Sequence, residues 1–159
     1  MAEIKNECNQ IPDKNRRSKG PVVVIECFQE IPCNPCYEAC NRGAIQTFSN
    51  INNLPRVDFN KCNGCGRCIP VCPGLAIFVV DETWKEDFAI VRVPYEFLPI
   101  PKKGEYVKGL SRDGSEVCDA KVIKVESAKR HDKTCVIWIE VPKDFSMDVR
   151  HIHVRRGSI

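Results

Sequence analysis

No stretch of this sequence approaches the ~20 consecutive apolar residues that a membrane-spanning helix requires. The first twenty residues, Met1 to Gly20, are polar and charged rather than a basic stub followed by an apolar core, which predicts an unexported, cytoplasmic chain. Charge of one sign is scarce as well: the net value is +3 over 159 residues. The one basic run, Lys14-Asn15-Arg16-Arg17-Ser18-Lys19, has no interleaved aromatics, so a nucleic-acid partner is not expected and the run reads as part of a solvated, flexible arm over residues 1–20. There is no phosphate loop, no Gly-x-Gly-x-x-Gly turn, and no Ser, His and acid set that spacing ties together. These absences predict a chain that transforms no substrate by itself.

Cysteine is the opposite case. The chain holds 11, and eight of them lie between Cys27 and Cys72. Disulfides do not persist in a reducing compartment, so crowding of this kind points to metal. The segment also repeats itself at an offset of 32 positions: Cys33, Cys36 and Cys40 align with Cys65, Cys68 and Cys72. Cys40-Asn41-Arg42-Gly43-Ala44-Ile45 aligns in turn with Cys72-Pro73-Gly74-Leu75-Ala76-Ile77, as an internal duplication would leave it. Apolar runs precede the cysteines in each half (Val22 to Ile25; Val57 to Phe59) and others follow them (Ala44 to Phe48; Ala76 to Val80). Each half is therefore predicted to run strand, cysteine loop, short helix, strand.

Beyond residue 86 cysteine thins out and short β-branched and aromatic runs take over. Phe88 to Val93, Tyr106 to Leu110, Glu116 to Glu126 and Thr134 to Val141 are the expected strands, punctuated by a turn at Ser111-Arg112-Asp113-Gly114 and a charged loop at Lys129 to Lys133. Thr134 to Val141 has apolar side chains on both alternating faces, which predicts a central strand. Pro142 to Val149 reads as one or two helical turns. The expected fold class is α+β, with a duplicated domain over residues 21–85 followed by a small all-β, barrel-like domain over residues 86–159.

An iron–sulfur cube needs four thiolates around a compact core, presented by loops that turn tightly. Cys62-x2-Cys65-x2-Cys68-x3-Cys72-Pro73 has the spacing of two-cluster iron–sulfur proteins, in which the fourth cysteine ligates the other cluster. Asn63, Gly64 and Gly66 fill the gaps with residues small enough for backbone amides to face the sulfurs. The first half departs from this pattern. Its spacing is Cys27-x5-Cys33-x2-Cys36-x3-Cys40, and Glu30 stands where the repeat would place the leading ligand. Either Cys27 serves through a wider loop, with Phe28 to Pro32 bulging outward, or the first cluster is a three-thiolate [3Fe–4S] one. Carrying the duplication through assigns Cys27, Cys33, Cys36 and Cys72 to cluster one, and Cys62, Cys65, Cys68 and Cys40 to cluster two.

Several residues have plainer readings. Cys-x2-Cys pairs also build zinc knuckles, although those come as separated pairs. Cys118 and Cys135 lie in expected strands as small apolar side chains, and Cys8 has no partner at ligand spacing. His151 and His153 share a face without a neighbouring acid or cysteine, and His131 sits in a charged loop with no nucleophile beside it.

Over residues 21–80 the spacing and internal symmetry resemble the two-cluster bacterial ferredoxins. That resemblance implies a (βαβ)2 ferredoxin-like fold, two [4Fe–4S] clusters with low-potential one-electron chemistry, and sensitivity to oxygen. The Cys-x5-Cys opening, leading arm and extra β domain are similar to the small iron–sulfur subunits of multi-subunit flavoprotein dehydrogenases acting on proline, hydroxyproline or related secondary amines. The implied function is electron transfer as an oxidoreductase subunit, with flavoprotein dehydrogenase subunits or soluble redox proteins as partners. A free-standing ferredoxin is the alternative, and a cluster-bearing sensor or nucleic-acid binder a third. The added β domain would dock the chain to its partner, with Trp84, Tyr95, Phe97 and the tail from Arg150 to Arg156 as expected contacts.

Overall fold

β-branched residues dominate the strands of the computed structural model, which describes residues 10–46, 49–127 and 134–154. In chain order the elements are α1 (Lys14–Arg17), β1 (Val22–Ile25), α2 (Pro35–Ala39), β2 (Ile77–Asp81), β3 (Phe88–Tyr95), β4 (Tyr106–Leu110), β5 (Glu116–Glu126), β6 (Cys135–Pro142) and β7 (His151–His153). A 3-10 turn at Lys143–Phe145 links β6 to β7. The strands form one seven-stranded sheet in the order β1-β2-β3-β6-β5-β4-β7, and every pairing is antiparallel.

Alternation along the strands divides the apolar side chains between two faces. One face carries Val24, Phe78, Val80, Val91, Val93, Ile137, Ile139 and Ile152 in a single buried cluster. No α-helix among the described residues covers that face, since α1 has no buried residue and α2 contributes only to the opposite cluster. Its burial requires the sheet to curl on itself. His151 of β7 accordingly stacks on Tyr95 of β3, with ring centroids 6.1 Å apart.

The other face carries Val23, Ile25, Ile77, Val79 and Val136 beneath the cysteine loops, together with Ile45, Val57 and Ile69. Strand β6 lies at the centre of the sheet, apolar on both sides, and Trp138 packs against this second cluster. The turn before β5 places Gly114 at φ +89°, where a side chain would be strained.

Several local expectations are met differently. The runs around residues 45 and 57 make a single bridge, Ile45 to Val57, flanked by Gln46 N–H donating to Arg56 O (2.9 Å) and Asp58 N–H to Ala44 O (2.7 Å); residues 47 and 48 lie outside the described set. Asn50, Asn53 and Ser49 form side-chain turns between those runs, which diverts the chain from a longer ladder. The second half has turns in place of a helix, with Ile69 N–H bonded to Gly66 O and Cys72 N–H to Ile69 O. Pro70 and Pro73 remove two of the donors a helical ladder would need. In the first half, by contrast, proline falls at Pro35, in the opening turn of α2, where a missing N–H costs nothing.

Within the arm expected over residues 1–20, Lys14, Asn15, Ser18 and Lys19 are exposed as a solvated arm would be, but Gln10, Pro12 and Gly20 are buried, and residues 1–9 lie outside the described set. Gln10 is 1% exposed, and Asp13 caps α1 by accepting the Arg16 N–H at 2.7 Å. Residue 85, where a domain boundary was expected, lies in the connection between β2 and β3, two strands that pair with each other. No helix among the described residues is long and apolar enough to cross a membrane.

Candidate metal centres

The eight clustered cysteines gather beneath the second face of the sheet as two sets. Cys27, Cys33, Cys36 and Cys72 line a cavity of about 270 Å3 whose rim includes Phe28, Ile31 and Arg112. Cys27 follows β1 and donates its N–H to Gln10 Oε1 at 3.1 Å. Cys36 is buried in α2. Cys72 arrives from the other half, and its Sγ accepts the Ala76 N–H at 3.4 Å. Residues 28–32 are all exposed, so the wide loop bulges outward and carries Glu30 away from the cavity while Cys27 stays at its wall. Burial pushes the Cys36 thiol up to about 11; the Tyr37 N–H opposes this, and the nearby Cys72, Cys33 and Cys27 add to it. Cys33 is raised by burial and by Cys72.

Cys40, Cys62, Cys65 and Cys68 line a smaller hollow of about 20 Å3 together with Val23, Ile45 and Gly66. Two backbone N–H groups, those of Val23 and Gly64, reach Cys62 Sγ at 3.4 Å each. Asn63 Oδ1 accepts the Cys65 N–H at 3.2 Å and tightens the loop. Gly64 has φ +70°, and a Cβ there would stand 2.5 Å from Pro21 Cβ, so glycine is required on two counts. Burial raises the Cys68 thiol strongly, followed by the proximity of Cys62, Cys65, Cys36 and Cys40. The presence of Cys36 among these neighbours brings the two sets side by side.

Crowded, half-buried thiols become thiolates only when a cation compensates them, and a coordinating metal does so outright. Among the described residues no group of three or more His, Cys, Asp or Glu side chains is placed to hold a single metal ion. Each set of four cysteines lines a hollow, and soft thiolates with backbone N–H donors fit an iron–sulfur core. The donor chemistry is the same in both sets, with more room in the first.

Three residues that the sequence did not single out complete the surroundings. Arg92 of β3 donates from Nη1 to Gly64 O at 2.7 Å, and its guanidinium carbon lies 3.6 Å from the Trp138 ring centre. Burial lowers its pKa, while Glu126 and Asp81 favour its charge. Arg16 and Gln10 reach the loops from the N-terminal segment. The only sequence signal for Arg92 is a lone charge inside the apolar run Ile90 to Val93; for Gln10 there was none.

Other expected residues lie elsewhere. Cys135 is buried in β6 and Cys118 is half-buried in β5, and neither lines a cysteine cavity. His151 packs against both Tyr95 and Phe97, with its pKa lowered by burial and then by His153. Cys8, His131, Arg155 and Arg156 lie outside the described residues. Among the expected partner contacts, Trp84 and Phe97 are exposed, but Tyr95 is only 3% exposed, because its side chain points to the core face with its hydroxyl donating to Pro99 O at 2.8 Å. Arg150 is likewise buried, its Nε 2.7 Å from Glu26 Oε1, so it braces the residue before Cys27 and is unavailable to a partner.

Residues 27–83, which include all eight of these cysteines, match the LdpA Fe-S cluster-binding domain. The chain is 40% identical over 74 residues to the pyruvate synthase subunit PorD of Methanocaldococcus jannaschii, covering 46% of this chain and 84% of that protein. It is 38% identical over 63 residues to the ferredoxin-type protein NapF of Haemophilus influenzae, covering 37% of this chain and 36% of that protein. An uncharacterized ferredoxin of M. jannaschii is 37% identical over 76 residues, 46% of each chain. The chain thus spans less than half the length of the latter two relatives. No solved structure matches it. With the cysteine loops, their sulfur-facing amides and most of the length of the pyruvate synthase subunit accounted for, the chain belongs to the iron–sulfur ferredoxin family.

Proposed function

We propose that this chain is the electron-transfer subunit of a multi-subunit oxidoreductase, and that it carries two [4Fe–4S] clusters. Cluster one would be held by Cys27, Cys33, Cys36 and Cys72, and cluster two by Cys62, Cys65, Cys68 and Cys40. The observation that carries this reading is the exchange between halves: Cys72 stands at the wall of the first cavity and Cys40 at the wall of the second. When bound, each cluster supplies a site that takes up and gives back one electron. The chain's own residues fix the spacing of the two sites, lend N–H donors to Cys62 and Cys72, and exclude water with Ile25, Ile45, Ile69 and Ile77.

The subunit reading draws on the relative that is a subunit of pyruvate synthase. It also draws on the strands that follow the cysteine loops, which a ferredoxin does not need for its clusters. We take the partner to be a flavoprotein dehydrogenase subunit, with residues 21–85 as the (βαβ)2 ferredoxin-like part and residues 86–159 as the barrel-like part that docks. Exposed Trp84, Phe97 and Leu98 offer it apolar contacts. Anaerobic purification followed by electron paramagnetic resonance of the dithionite-reduced chain tests the cofactor reading: two spin-coupled [4Fe–4S] signals are expected. A three-iron signal would withdraw Cys27 from the ligand set, and colourless material without acid-labile sulfide would remove the function altogether.

A free-standing ferredoxin is the second reading, favoured by the relatives described as ferredoxins. Native co-purification separates the two, because the subunit reading requires a flavin-containing partner to elute with the chain.

A further inference from the structure

We propose that the segment from Gln10 to Gly20 is a clamp on the leading cysteine of both sets, with Gln10 and Arg16 as its positioning residues. The inference rests on the two-cluster reading and assigns a task to a segment that lies ahead of the family match at residues 27–83.

Each leading cysteine borders a loop without regular secondary structure. Cys27 is followed by five exposed-loop residues before Cys33, whereas Cys36 is anchored within α2. Cys62 closes an irregular turn in which Lys61 N–H bonds to Asp58 O at 3.1 Å. A ligand at the end of a loosely tied loop is the first to leave when its loop opens.

The segment grips both. Gln10 accepts the Ile25 N–H with its backbone carbonyl at 2.9 Å and the Cys27 N–H with Oε1 at 3.1 Å, which extends the pairing of β1 up to the cysteine. That bond fixes the amide so that Nε2 points away from the Cys27 N–H, and Nε2 is buried with no acceptor among the described residues. A buried N–H is costly to leave unpaired, and an anionic sulfur centre at the first set is the kind of acceptor that would satisfy it. Arg16 makes a matching grip at the second set. Its guanidinium donates to Cys62 O at 2.7 Å, Phe59 O at 2.9 Å, Pro21 O at 3.1 Å and Gly20 O at 3.2 Å. All four acceptors are carbonyls, so its positive charge stands beside the second thiolate set without a carboxylate in its grip. Arg17 fastens the segment to the sheet through Glu82, with Nε 3.0 Å from Oε1.

The test follows iron leaving the loaded chain. An anaerobic preparation with both clusters bound is challenged with the ferrous chelator bathophenanthroline disulfonate, and loss of the charge-transfer absorption is followed in time. Gln10→Leu should make half of the absorption bleach about fivefold faster, which is the effect of one hydrogen bond of ordinary net strength, and leave the other half at the parent rate. Arg16→Met should accelerate the other half, by about tenfold or more because several bonds go at once. Gln10→Glu keeps an acceptor for Cys27 but replaces the buried Nε2 donor with an oxygen, so it should still accelerate the same half and lower the potential of that cluster alone, a shift that general loosening of the fold would not produce. Parent rates in Gln10→Leu, or equal acceleration of both halves by either single variant, would overturn the clamp. An unaltered chain with half the expected iron and sulfide, or none, overturns the two-cluster reading and takes the clamp with it.

Discussion

The two halves of the cysteine segment repeat at an offset of 32 positions, yet their walls differ in room, backbone and charge. The first set surrounds about 270 Å3 and opens past Phe28, which is 67% exposed, and Ile31; the Ala76 N–H reaches Cys72 Sγ there and the Tyr37 N–H acts on Cys36. The second surrounds about 20 Å3, has two N–H groups on Cys62, two glycines at positive φ in its loop, and the Arg16 and Arg92 guanidiniums hydrogen-bonded to its backbone. A duplicated ligand pattern specifies which atoms bind. It does not specify the field those atoms sit in, and that field comes from the residues where the two halves differ.

The largest expected effect concerns what the halves share. Cys72→Ser alters the second motif in sequence but the first cavity in space, so it should disrupt the first cluster and spare the second; Cys40→Ser should do the reverse. Iron and sulfide analysis with spin quantitation on each variant reads this directly, with each losing about half its iron. If Cys72→Ser damages the second site instead, the exchange between halves is wrong and each motif binds its own cluster.

A smaller effect separates the loops. Gly64→Ala must place a methyl 2.5 Å from Pro21 Cβ at φ +70°. The positive φ and the overlap together should cost about 2–4 kcal/mol. Gly74→Ala at the first cavity meets nothing within 4 Å and has no positive φ, so its effect should stay within about 1 kcal/mol of zero. Thermal unfolding of the loaded chain under anaerobic conditions compares the two, and equal losses would mean that the second loop is no tighter than the first.

Much of this was legible from residue type and spacing. The cysteine repeat led to two sets of four, and runs such as Val22 to Ile25 and Thr134 to Val141 were expected as strands because short β-branched runs pack best on a pleated surface. What escaped depends on direction and distance. Tyr95 and Arg150 look like partner contacts by type, and only the side of the sheet on which each side chain lies shows them to be buried. Pro70 was visible, but its power to prevent a second helix counts only once the loop around Cys68 needs that N–H. Gln10 and Arg16 belong to a polar stretch whose hydrogen bonds reach residues 17 and 46 positions away, and no local pattern encodes such reach.

The smallest expected effect isolates charge. Half-buried Arg92 stands over Trp138 at 3.6 Å with one donor on Gly64 O and a buried Nε that has no partner among the described residues, so its cation is held close to the second loop. A fixed positive charge favours the reduced, more negative state of a nearby centre, and partial burial limits the screening of that influence. Arg92→Met retains the stacking bulk while removing the charge, and should lower the potential of the second cluster by tens of millivolts while leaving the first nearly unchanged. Arg92→Lys, which keeps the charge but loses the planar fork, should return most of the shift. A redox titration monitored by electron paramagnetic resonance resolves the two centres. A common shift in both would mean that Arg92 acts through the packing of the sheet, and the inequality of the two sites would then lie in their room and in the backbone of their loops.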